Sequence, residues 1–532
     1  MRTLIGRGFM HSSVYQKVGI ASAVMMASVF LSRVIGLLRE MAIAYMAGAG
    51  KEVDAYQIAF ILPEILNHVV ATGFLSVTFI PLFTRHLVRD TETEAWRVFS
   101  IILCVFGSLA LGVVAVSMAL APQLVALAAP GLEAPETLAA AVRMTRIILP
   151  AQFFFFAGGL LMAVQFARER FLLPALAPLI YNLGIIAGGI LLAPWLGIEG
   201  FAWGVLAGAF AGNFLLQWAG ARRAGMRFQP AWQWAHPDVK EYLRLTAPLM
   251  LGLTMTFSTE FFFRFFGSYL PAGSIAVLNF SLRVMLILVG VFGQAVGTAS
   301  FPYMARLAAE NNLGDLNRLL NRTLRYLALV IPVAALLMVL SPEVVRILFQ
   351  RGRFDPAAAR VTADVLVWFL AGAVAFAAYT VVVRGYFATR NTLFPALFGT
   401  VAVLVSIPLY PLGILLMGVE GVALAVSTSG ILQAAALFVL WSRRSGNAGQ
   451  GEIFRFYLKI GVLSGGMALV LALIREAATE WVDPSSFAGS LVVSAAVGSA
   501  FIGLMLAAGY GLKIAEIKYV AEYVWKKLGR KP

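Results

Sequence analysis

The sequence has few of the residue types that soluble domains, disulfide scaffolds and metal enzymes need. Only 13% of its 532 residues are charged while 60% are hydrophobic, and this balance excludes a soluble fold. The single cysteine, Cys104, excludes an intrachain disulfide, and we expect it to be a small buried residue. Because the chain has only four histidines and no clustered aspartate pair, we expect no enzyme, no metal site and no cofactor.

Long apolar runs, separated by short polar breaks, make up most of the chain. The mean hydropathy is +0.85, and runs of this length indicate membrane-spanning helices rather than the weak alternation of a membrane barrel. We therefore predict an all-α polytopic membrane protein with about fourteen transmembrane helices. The predicted spans are 18–47, 54–83, 97–121, 143–167, 171–193, 198–221, 243–269, 274–305, 319–340, 361–387, 393–416, 419–441, 453–474 and 488–512.

The basic residues are concentrated on one side of this predicted topology. They fall mainly in alternate short loops and in the C-terminal tail, which places both termini in the cytoplasm. The same bias explains the net charge of +15 without a nucleic-acid partner. One basic loop, 341–360, falls on the predicted outer side, where we expect it to follow the interface as a solvated loop or as a ligand contact.

The chain repeats itself at an offset of 221 residues. Pro81 and Arg85 recur as Pro302 and Arg306, and Gly197 to Ala202 recurs as Gly418 to Ala423. We therefore predict two pseudo-symmetric six-helix lobes, an N-terminal lobe at 1–225 and a C-terminal lobe at 226–446. The segment 447–532 adds spans 13 and 14 and a basic tail. Two similar lobes around a central cavity are a common transporter design.

Span 1 carries charges at a depth where charges are costly. Arg33 lies about fifteen residues into the span, which is too deep for its side chain to reach either surface easily. Glu40 shares a face with Arg33, Gly36 lies between them, and Arg39 points about a third of a turn away. An ion pair that fixes span 1 to a neighbouring helix is the alternative to a functional role. The next span opens with another acidic residue, Asp54.

Spans 7 and 8 carry a second charged group. Arg283 has no acidic neighbour in its own helix, so it needs a partner elsewhere or an anionic ligand. Glu260 and Arg264 are spaced to pair with each other across one helical turn. Because arginine outnumbers carboxylate at these depths, and guanidinium binds phosphate through two parallel hydrogen bonds, we predict transport of a phosphorylated, lipid-attached solute.

These charged segments resemble those of the MurJ/MviN lipid II flippase family, within the multidrug/oligosaccharidyl-lipid/polysaccharide exporter superfamily. Ser32 to Glu40 is similar to the family segment S-R-hydrophobic-x-G-x-x-R-[DE]. The further matches are Gly48 to Pro63 with G-x-G…D-A-[FY]…L-P, Phe79 to Pro81 with F-[IV]-P, Ser268 to Arg283 with A-S-x-L-x-x-G…L-x-[YF]-x-x-R, and Leu348 to Ala363 with L-F-x-x-G-x-F…T-A. The resemblance covers nearly the whole chain.

The resemblance implies two six-helix lobes in a V with two further helices. It implies movement of lipid II, the undecaprenyl-pyrophosphate-linked peptidoglycan precursor, to the outer leaflet of the bacterial cytoplasmic membrane by alternating access. The implied partners are this lipid-linked pyrophosphoryl saccharide, membrane lipid and other cell-wall synthesis proteins. Arg33, Arg39 and Arg283 match positions implicated in pyrophosphate binding, and Glu40 and Asp54 match positions implicated in gating. Glu260 and Arg264 are the remaining candidates for gating or ion pairing.

The sequence departs from the family pattern at two places. Asn67 and His68 stand where the family has a basic pair. Span 11 lacks the Asn and Asp that form a proposed sodium site in some members, and Ser406 and Pro408 are its nearest polar or helix-breaking residues. A flippase for another polyprenyl-linked saccharide, such as an exopolysaccharide or O-antigen unit, therefore stays open. A drug exporter would have fewer cavity cations, and a polyprenyl-dependent glycosyltransferase or ligase would need a catalytic loop that the chain lacks.

Overall fold

Prolines, glycines and short polar turns divide the apolar chain into a series of helices. The computed structural model describes residues 2–70, 78–250, 255–519 and 522, with side chains at 24–68, 78–246, 258–519 and 522. Throughout these ranges the regular structure is helical, so the all-α prediction is confirmed. The chain divides into two compact units, Met1–Gly252 and Leu253–Pro532.

Unit 1 contains twelve helices within its described residues. They are α1 (Arg2–Ala47), α2 (Lys51–Ala59), α3 (Ile61–Val70), α4 (Ile80–Val88), α5 (Glu92–Ala119), α6 (Ala121–Ala128), α7 (Pro135–Ile148), α8 (Ala151–Ala167), α9 (Leu172–Leu196), α10 (Glu199–Gly208), α11 (Leu216–Arg223) and α12 (Pro237–Met250). A π-helical segment, Ala209–Leu215, joins α10 to α11. The last helix, α12, follows the predicted boundary at 225/226 and packs on α3 and α5 of unit 1.

Unit 2 also contains twelve helices within its described residues. They are α13 (Met255–Gly267), α14 (Ser274–Val289), α15 (Ala295–Ala309), α16 (Leu313–Leu327), α17 (Val330–Val339), α18 (Ser341–Leu348), α19 (Pro356–Ala388), α20 (Leu393–Ser406), α21 (Leu409–Met417), α22 (Val419–Ser445), α23 (Gln450–Trp481) and α24 (Phe487–Gly511). A π-helical segment, Gly290–Gln294, joins α14 to α15. The basic 341–360 loop of the sequence prediction therefore begins as a short helix, α18.

Eleven helical stretches in the described residues are long and apolar enough to cross a membrane. They coincide with predicted spans 3 to 6 and 8 to 14. The other three predictions, 18–47, 54–83 and 243–269, fall on α1, on α2 to α4 and on α12 to α13. Residues 71–77 and 251–254, inside two of these spans, lie outside the described residues. The observed helices are therefore consistent with fourteen spans.

The helix boundaries of the two units follow the 221-residue offset of the sequence repeat. Helix α5 begins at Glu92 and α16 at Leu313, while α8 ends at Ala167 and α19 ends at Ala388. Two of the differences between the units occur at prolines. Pro150 separates α7 from α8, whereas the equivalent α19 is continuous, and Pro408 separates α20 from α21, whereas the equivalent α9 is continuous.

The backbone turns repeat at the same offset as the helices. Residues with left-handed backbone conformation, which L-residues adopt rarely outside helix ends, occur in four matched pairs. The pairs are Asp90 and Asn311, Glu169 and Arg390, Gly197 and Gly418, and Gly225 and Gly446. Composition alone does not reproduce such single-residue turns, so the pseudo-symmetry of the six-helix lobes is confirmed.

Helices α9 and α10 pack closely through glycines. A Cβ atom added to Gly188 would lie 2.4 Å from the Cα atom of Gly204, and one added to Gly184 would lie 2.5 Å from the Cα atom of Gly208. Small residues spaced four apart allow two helix backbones to approach in a membrane, where association depends on close van der Waals packing. This contact fixes α9, which supplies the polar residue that the first arginine cluster uses.

The two C-terminal helices are attached to unit 2 near both of their ends. Ile460 on α23 and Ile514 and Ile517 after α24 form one apolar cluster with Ala328. A second cluster joins Leu471, Val493 and Val497 to Leu340. Spans 13 and 14 are therefore packed against α17 and its neighbours.

Candidate functional site

Arg39 lies at the centre of a polar network between α1 and α9. Its Nη1 donates to Asn182 Oδ1 at 3.1 Å, and its Nη2 donates to Glu40 Oε1 at 2.6 Å. The Glu40 side chain is 3% exposed and Arg39 is 19% exposed. A buried carboxylate next to a guanidinium avoids the cost of an isolated charge, and the shared hydrogen bonds hold Arg39 in one orientation.

The polar face of α1 is built for contact with α9. Ser28 Oγ donates to the Ala175 carbonyl, and Asn182 Nδ2 donates to Ser32 Oγ at 3.4 Å. A Cβ atom at Gly36 would lie 4.0 Å from Asn182 Oδ1, which is an ordinary van der Waals contact, so Gly36 faces α9. The sequence reasoning named Gly36 and Arg39 but missed Asn182, which is recognisable as a polar residue inside an apolar predicted span.

The other two unit 1 candidates occupy different positions. Arg33 is half-buried on α1, one and a half turns before Arg39. Asp54 is 4% exposed in the first turn of α2, where the helix dipole stabilises a negative charge. The sequence spacing places Glu40 and Arg33 on one face of α1. In the structure, Glu40 pairs with Arg39, the residue that precedes it.

Glu260 forms ion pairs with both of the other charged candidates of unit 2, Arg264 and Arg283. Arg283 Nη1 lies 3.2 Å from Glu260 Oε1, and Arg283 Nη2 lies 3.3 Å from Glu260 Oε2. Arg264 Nη2 also donates to Glu260 Oε2, at 3.5 Å. The predicted pair on one helix is thus present, and it also includes the arginine of α14. One carboxylate is thus shared by two guanidinium groups.

Exposure differs between the two arginines that share Glu260. The Arg264 side chain is 1% exposed, while that of Arg283 is 26% exposed and that of Glu260 is 15% exposed. Because Arg264 is enclosed by protein, Arg283 is the member of the cluster that is open to a ligand. Arg264 is thus the buried member of the cluster and Arg283 the more exposed one.

Two further charge clusters were not recognised in the sequence. Arg475 of α23 donates through Nε and Nη2 to Glu343 of α18, whose side chain is fully buried. Arg85 of α4 donates to Asp238 at 2.6 Å and to Glu241 at 2.9 Å, both on α12. The hydrogen bonds to Glu241, together with the charges of Glu241 and Asp238, raise the pKa of Arg85. Partners more than a hundred residues apart in sequence leave no periodic signal.

Solved membrane transporters share this fold. A structure described as a multidrug resistance MATE family transporter of the MOP superfamily, in its inward-facing conformation, has a TM-score of 0.64 at 13% identity and covers 80% of this chain and 98% of that chain. A structure of the lipid II flippase MurJ in an inward closed conformation has a TM-score of 0.73 at 23% identity and covers 96% of this chain and 100% of that chain. The described helices therefore share the fold of these two solved proteins.

Sequence comparison narrows the class to one family. The family model for the lipid II flippase MurJ matches residues 43–492. A probable lipid II flippase MurJ of Rhizobium meliloti (strain 1021) is 28% identical over 426 residues, which cover 76% of this chain and 77% of the relative. A lipid II flippase MurJ of Burkholderia cenocepacia is 27% identical over 454 residues, which cover 83% of this chain and 86% of the relative. The chain belongs to the lipid II flippase MurJ family and is a multi-pass inner-membrane protein.

Proposed function

We propose that this protein moves lipid II from the inner to the outer leaflet for cell-wall synthesis, by alternating access. Both termini lie in the cytoplasm, as the distribution of basic residues indicates. The observation that carries the proposal is the family match over residues 43–492, together with arginines held by carboxylates inside apolar helices. Other proteins of cell-wall synthesis, which make or use lipid II, are its proposed partners.

Arg33, Arg39 and Arg283 are the proposed ligands of the pyrophosphate. A guanidinium presents two parallel N–H groups, and phosphate oxygens accept them in the same geometry as a carboxylate. Glu260 engages Arg283 through both of its oxygens, so this arginine is oriented for an oxyanion before substrate arrives. During transport the pyrophosphate of the substrate replaces the Glu260 carboxylate on Arg283. The carboxylate returns to Arg283 after the substrate is released. The arginine then never carries the cost of an unpaired charge inside the membrane.

The remaining acidic residues have the proposed role of gates. Glu40 holds Arg39 when substrate is absent, and Asn182 keeps the guanidinium in place when the carboxylate withdraws. Arg264 remains with Glu260 throughout the cycle, because its buried side chain keeps the carboxylate from being stranded when Arg283 leaves. Asp54 stabilises the start of α2 through the helix dipole, and its proposed gating role depends on this position.

A flippase for another polyprenyl-linked saccharide is the second candidate. Asn67 and His68 stand on α3 where the family pattern has a basic pair, so the chain has less fixed positive charge there. An exopolysaccharide or O-antigen unit on the same pyrophosphate carrier would still use Arg39 and Arg283. The two candidates therefore differ in the saccharide and share the pyrophosphate chemistry.

Reconstitution separates the two candidates. The purified protein is placed in liposomes that carry either fluorescent lipid II or a fluorescent polyprenyl-pyrophosphate O-antigen unit, and the fraction of lipid accessible from outside is followed over time. We expect lipid II to flip and the O-antigen lipid to flip at least tenfold more slowly, a discrimination of roughly 1.4 kcal/mol. Equal rates would assign a broader polyprenyl-saccharide flippase, and flipping of the O-antigen lipid alone would overturn the lipid II assignment.

A further inference from the structure

A cavity of about 740 Å³ lies beside α16 and the turn that joins α22 to α23. Its wall includes Arg318, Arg322 and Arg325 of α16, the turn between α22 and α23, and Glu516 on the chain that follows α24. Sites for small molecules have volumes of this order. The cavity lies within unit 2 and shares no residue with the Arg283 cluster, so the proposed transport mechanism does not use it.

The rim of the cavity is fixed by hydrogen bonds. Asn321 Nδ2 donates to Asn447 Oδ1 at 2.8 Å, and Asn447 Nδ2 donates back to Asn321 Oδ1 at 2.9 Å. Asn317 Nδ2 donates to the Ser445 carbonyl at 3.0 Å. These contacts connect the α22–α23 turn to α16, so the cavity is a built feature with a defined shape.

One side of the cavity is cationic. Arg318, Arg322 and Arg325 are spaced by four and three residues, so they lie on one face of α16. Arg318 and Arg322 are exposed and line the cavity; Arg318 Nη2 also donates to Asp315 Oδ1, and Arg322 lies over the ring of Tyr326. Arg325 is placed differently, because it packs over the ring of Phe456 at 4.6 Å and its Nε lies 2.7 Å from Glu516 Oε1. Two exposed guanidinium groups on one face are suited to a phosphate.

The opposite side of the cavity is anionic. The Glu516 side chain is 9% exposed, and its Oε2 accepts no hydrogen bond within the described part of the chain. A buried carboxylate oxygen without a donor is costly, so this oxygen is suited to accept from a further donor. Glu452, in the first turn of α23, is exposed beside the same cavity. Glu516 Oε1 is paired with Arg325, so a ligand with a single negative group would supply no cation to Glu452 and no donor to Glu516 Oε2, whereas an ammonium group would supply both.

The cavity borders apolar surface that belongs to membrane-spanning helices. Ile453 and Ala515 contribute to its wall, and the neighbouring residues Phe456, Ile514 and Ile517 belong to one apolar cluster. Both α16 and α23 begin candidate membrane spans, so the cavity lies at the level where lipid head groups meet the hydrocarbon. Basic pockets between helices at this level bind lipid head groups.

We propose that this cavity binds the phosphoethanolamine head group of phosphatidylethanolamine. The phosphate interacts with Arg318 and Arg322, and the ammonium group donates to Glu452 and Glu516. The apolar border selects a lipid rather than a soluble molecule with the same head group. The bound lipid bridges α16, the start of α23 and the chain after α24, and thereby connects spans 13 and 14 to the C-terminal lobe.

Native mass spectrometry of the purified full-length protein tests this site. The protein in detergent receives equal amounts of phosphatidylethanolamine and phosphatidylglycerol, and the bound fraction of each lipid is measured. We expect phosphatidylethanolamine to be retained preferentially. Glu452→Gln, which breaks no contact with a described residue, lowers its binding roughly tenfold because a charge-assisted hydrogen bond is lost. The double variant Arg318→Gln/Arg322→Gln weakens both lipids, and the exposed control Glu310→Gln changes neither.

Other outcomes overturn the proposal in distinguishable ways. Tighter binding of phosphatidylglycerol or of a lipid with two phosphates, strengthened by Glu452→Gln, would identify an anionic-lipid site. Displacement of the lipid by soluble phosphoethanolamine at equal concentration would identify a water-soluble ligand. Equal retention of all lipids by the wild type and the arginine variant would show that the cavity does not select head groups.

Discussion

Arg283 and Glu260 form a two-point ion pair between α14 and α13, with nitrogen–oxygen distances of 3.2 and 3.3 Å. The geometry matches that of a guanidinium with two phosphate oxygens. Arg283→Ala therefore should abolish transport while expression and membrane insertion stay near normal, since removal of a charge makes insertion easier. Flipping of fluorescent lipid II in liposomes measures the effect.

The conservative variant and a matched control make this first prediction specific. Arg283→Lys should rescue transport only in part, because an ammonium group cannot make the two parallel hydrogen bonds. Arg306→Ala removes an exposed arginine that pairs with Glu310 one turn away, and it should leave transport unchanged. Full activity of Arg283→Ala would remove this arginine from the substrate site.

Glu260 balances two arginines, so its loss should affect stability more than the loss of either arginine. Glu260→Gln replaces the carboxylate that pairs with Arg264, whose side chain is 1% exposed, with a neutral amide. Breaking a buried ion pair on one side costs about 3–5 kcal/mol. We expect a lower Tm in detergent and partial recovery when Arg264→Met is added. An unchanged Tm in Glu260→Gln would contradict the buried ion-pair role.

The glycine contact between α9 and α10 positions Asn182 beside Arg39. A side chain at Gly204 would place its Cβ 2.7 Å from the Gly184 carbonyl oxygen and 2.8 Å from Ile185 Cα. Gly204→Leu should therefore separate the helices, reduce the yield of monodisperse protein and lower the Tm. Gly112→Leu on α5 is the matched control, because a Cβ there meets nothing within 4 Å. Equal stability of the two variants would show that the close approach is not required.

Coupling to the membrane potential is predicted from the excess of cationic side chains. Each charge that crosses the membrane gains about 2.3 kcal/mol per 100 mV. A carrier with an empty cationic site is drawn toward the negative inside, so the potential resets it without obligatory sodium. Lipid II flipping is measured in liposomes that have a potassium-diffusion potential and contain no sodium. Flipping should be faster when the side of the membrane that corresponds to the cytoplasm is negative. Strict dependence on sodium, or indifference to the potential, would exclude this mechanism.

Much of the fold could be predicted from sequence because hydropathy and repetition are local properties. The apolar runs indicated the spans, and the 221-residue offset indicated the lobes before the matched turns at Gly197 and Gly418 were visible. The ion pairs were harder to predict. Arg39 bonds to Asn182 and Arg475 bonds to Glu343, and such pairs depend on how distant helices pack. The helix breaks at Pro150 and Pro408 have a local cause, the proline itself. They were not predicted because the apolar pattern of each span continues across the proline.

The roles of Arg33, Arg39 and Arg283 in pyrophosphate binding stay predictions. Arg33 and Arg39 belong to unit 1, and Arg283 belongs to unit 2. Within each unit the structure shows the local partner of Arg39 and of Arg283. The predicted lobe boundaries at 225/226 and 446/447 also stay predictions. Helix α12, which follows the first boundary, packs on helices of unit 1, and spans 13 and 14, which follow the second boundary, pack on helices of unit 2.

Complementation tests the central claim most directly. The resident lipid II flippase of a host bacterium is depleted while this chain is expressed, and lipid II exposed on the outer leaflet is quantified. The account predicts that exposure and growth are maintained by the wild type and by Arg306→Ala, and that both are lost with Arg283→Ala at equal membrane abundance. Loss of exposed lipid II in cells that contain normal amounts of the inserted wild-type protein would contradict the assignment of lipid II as its substrate.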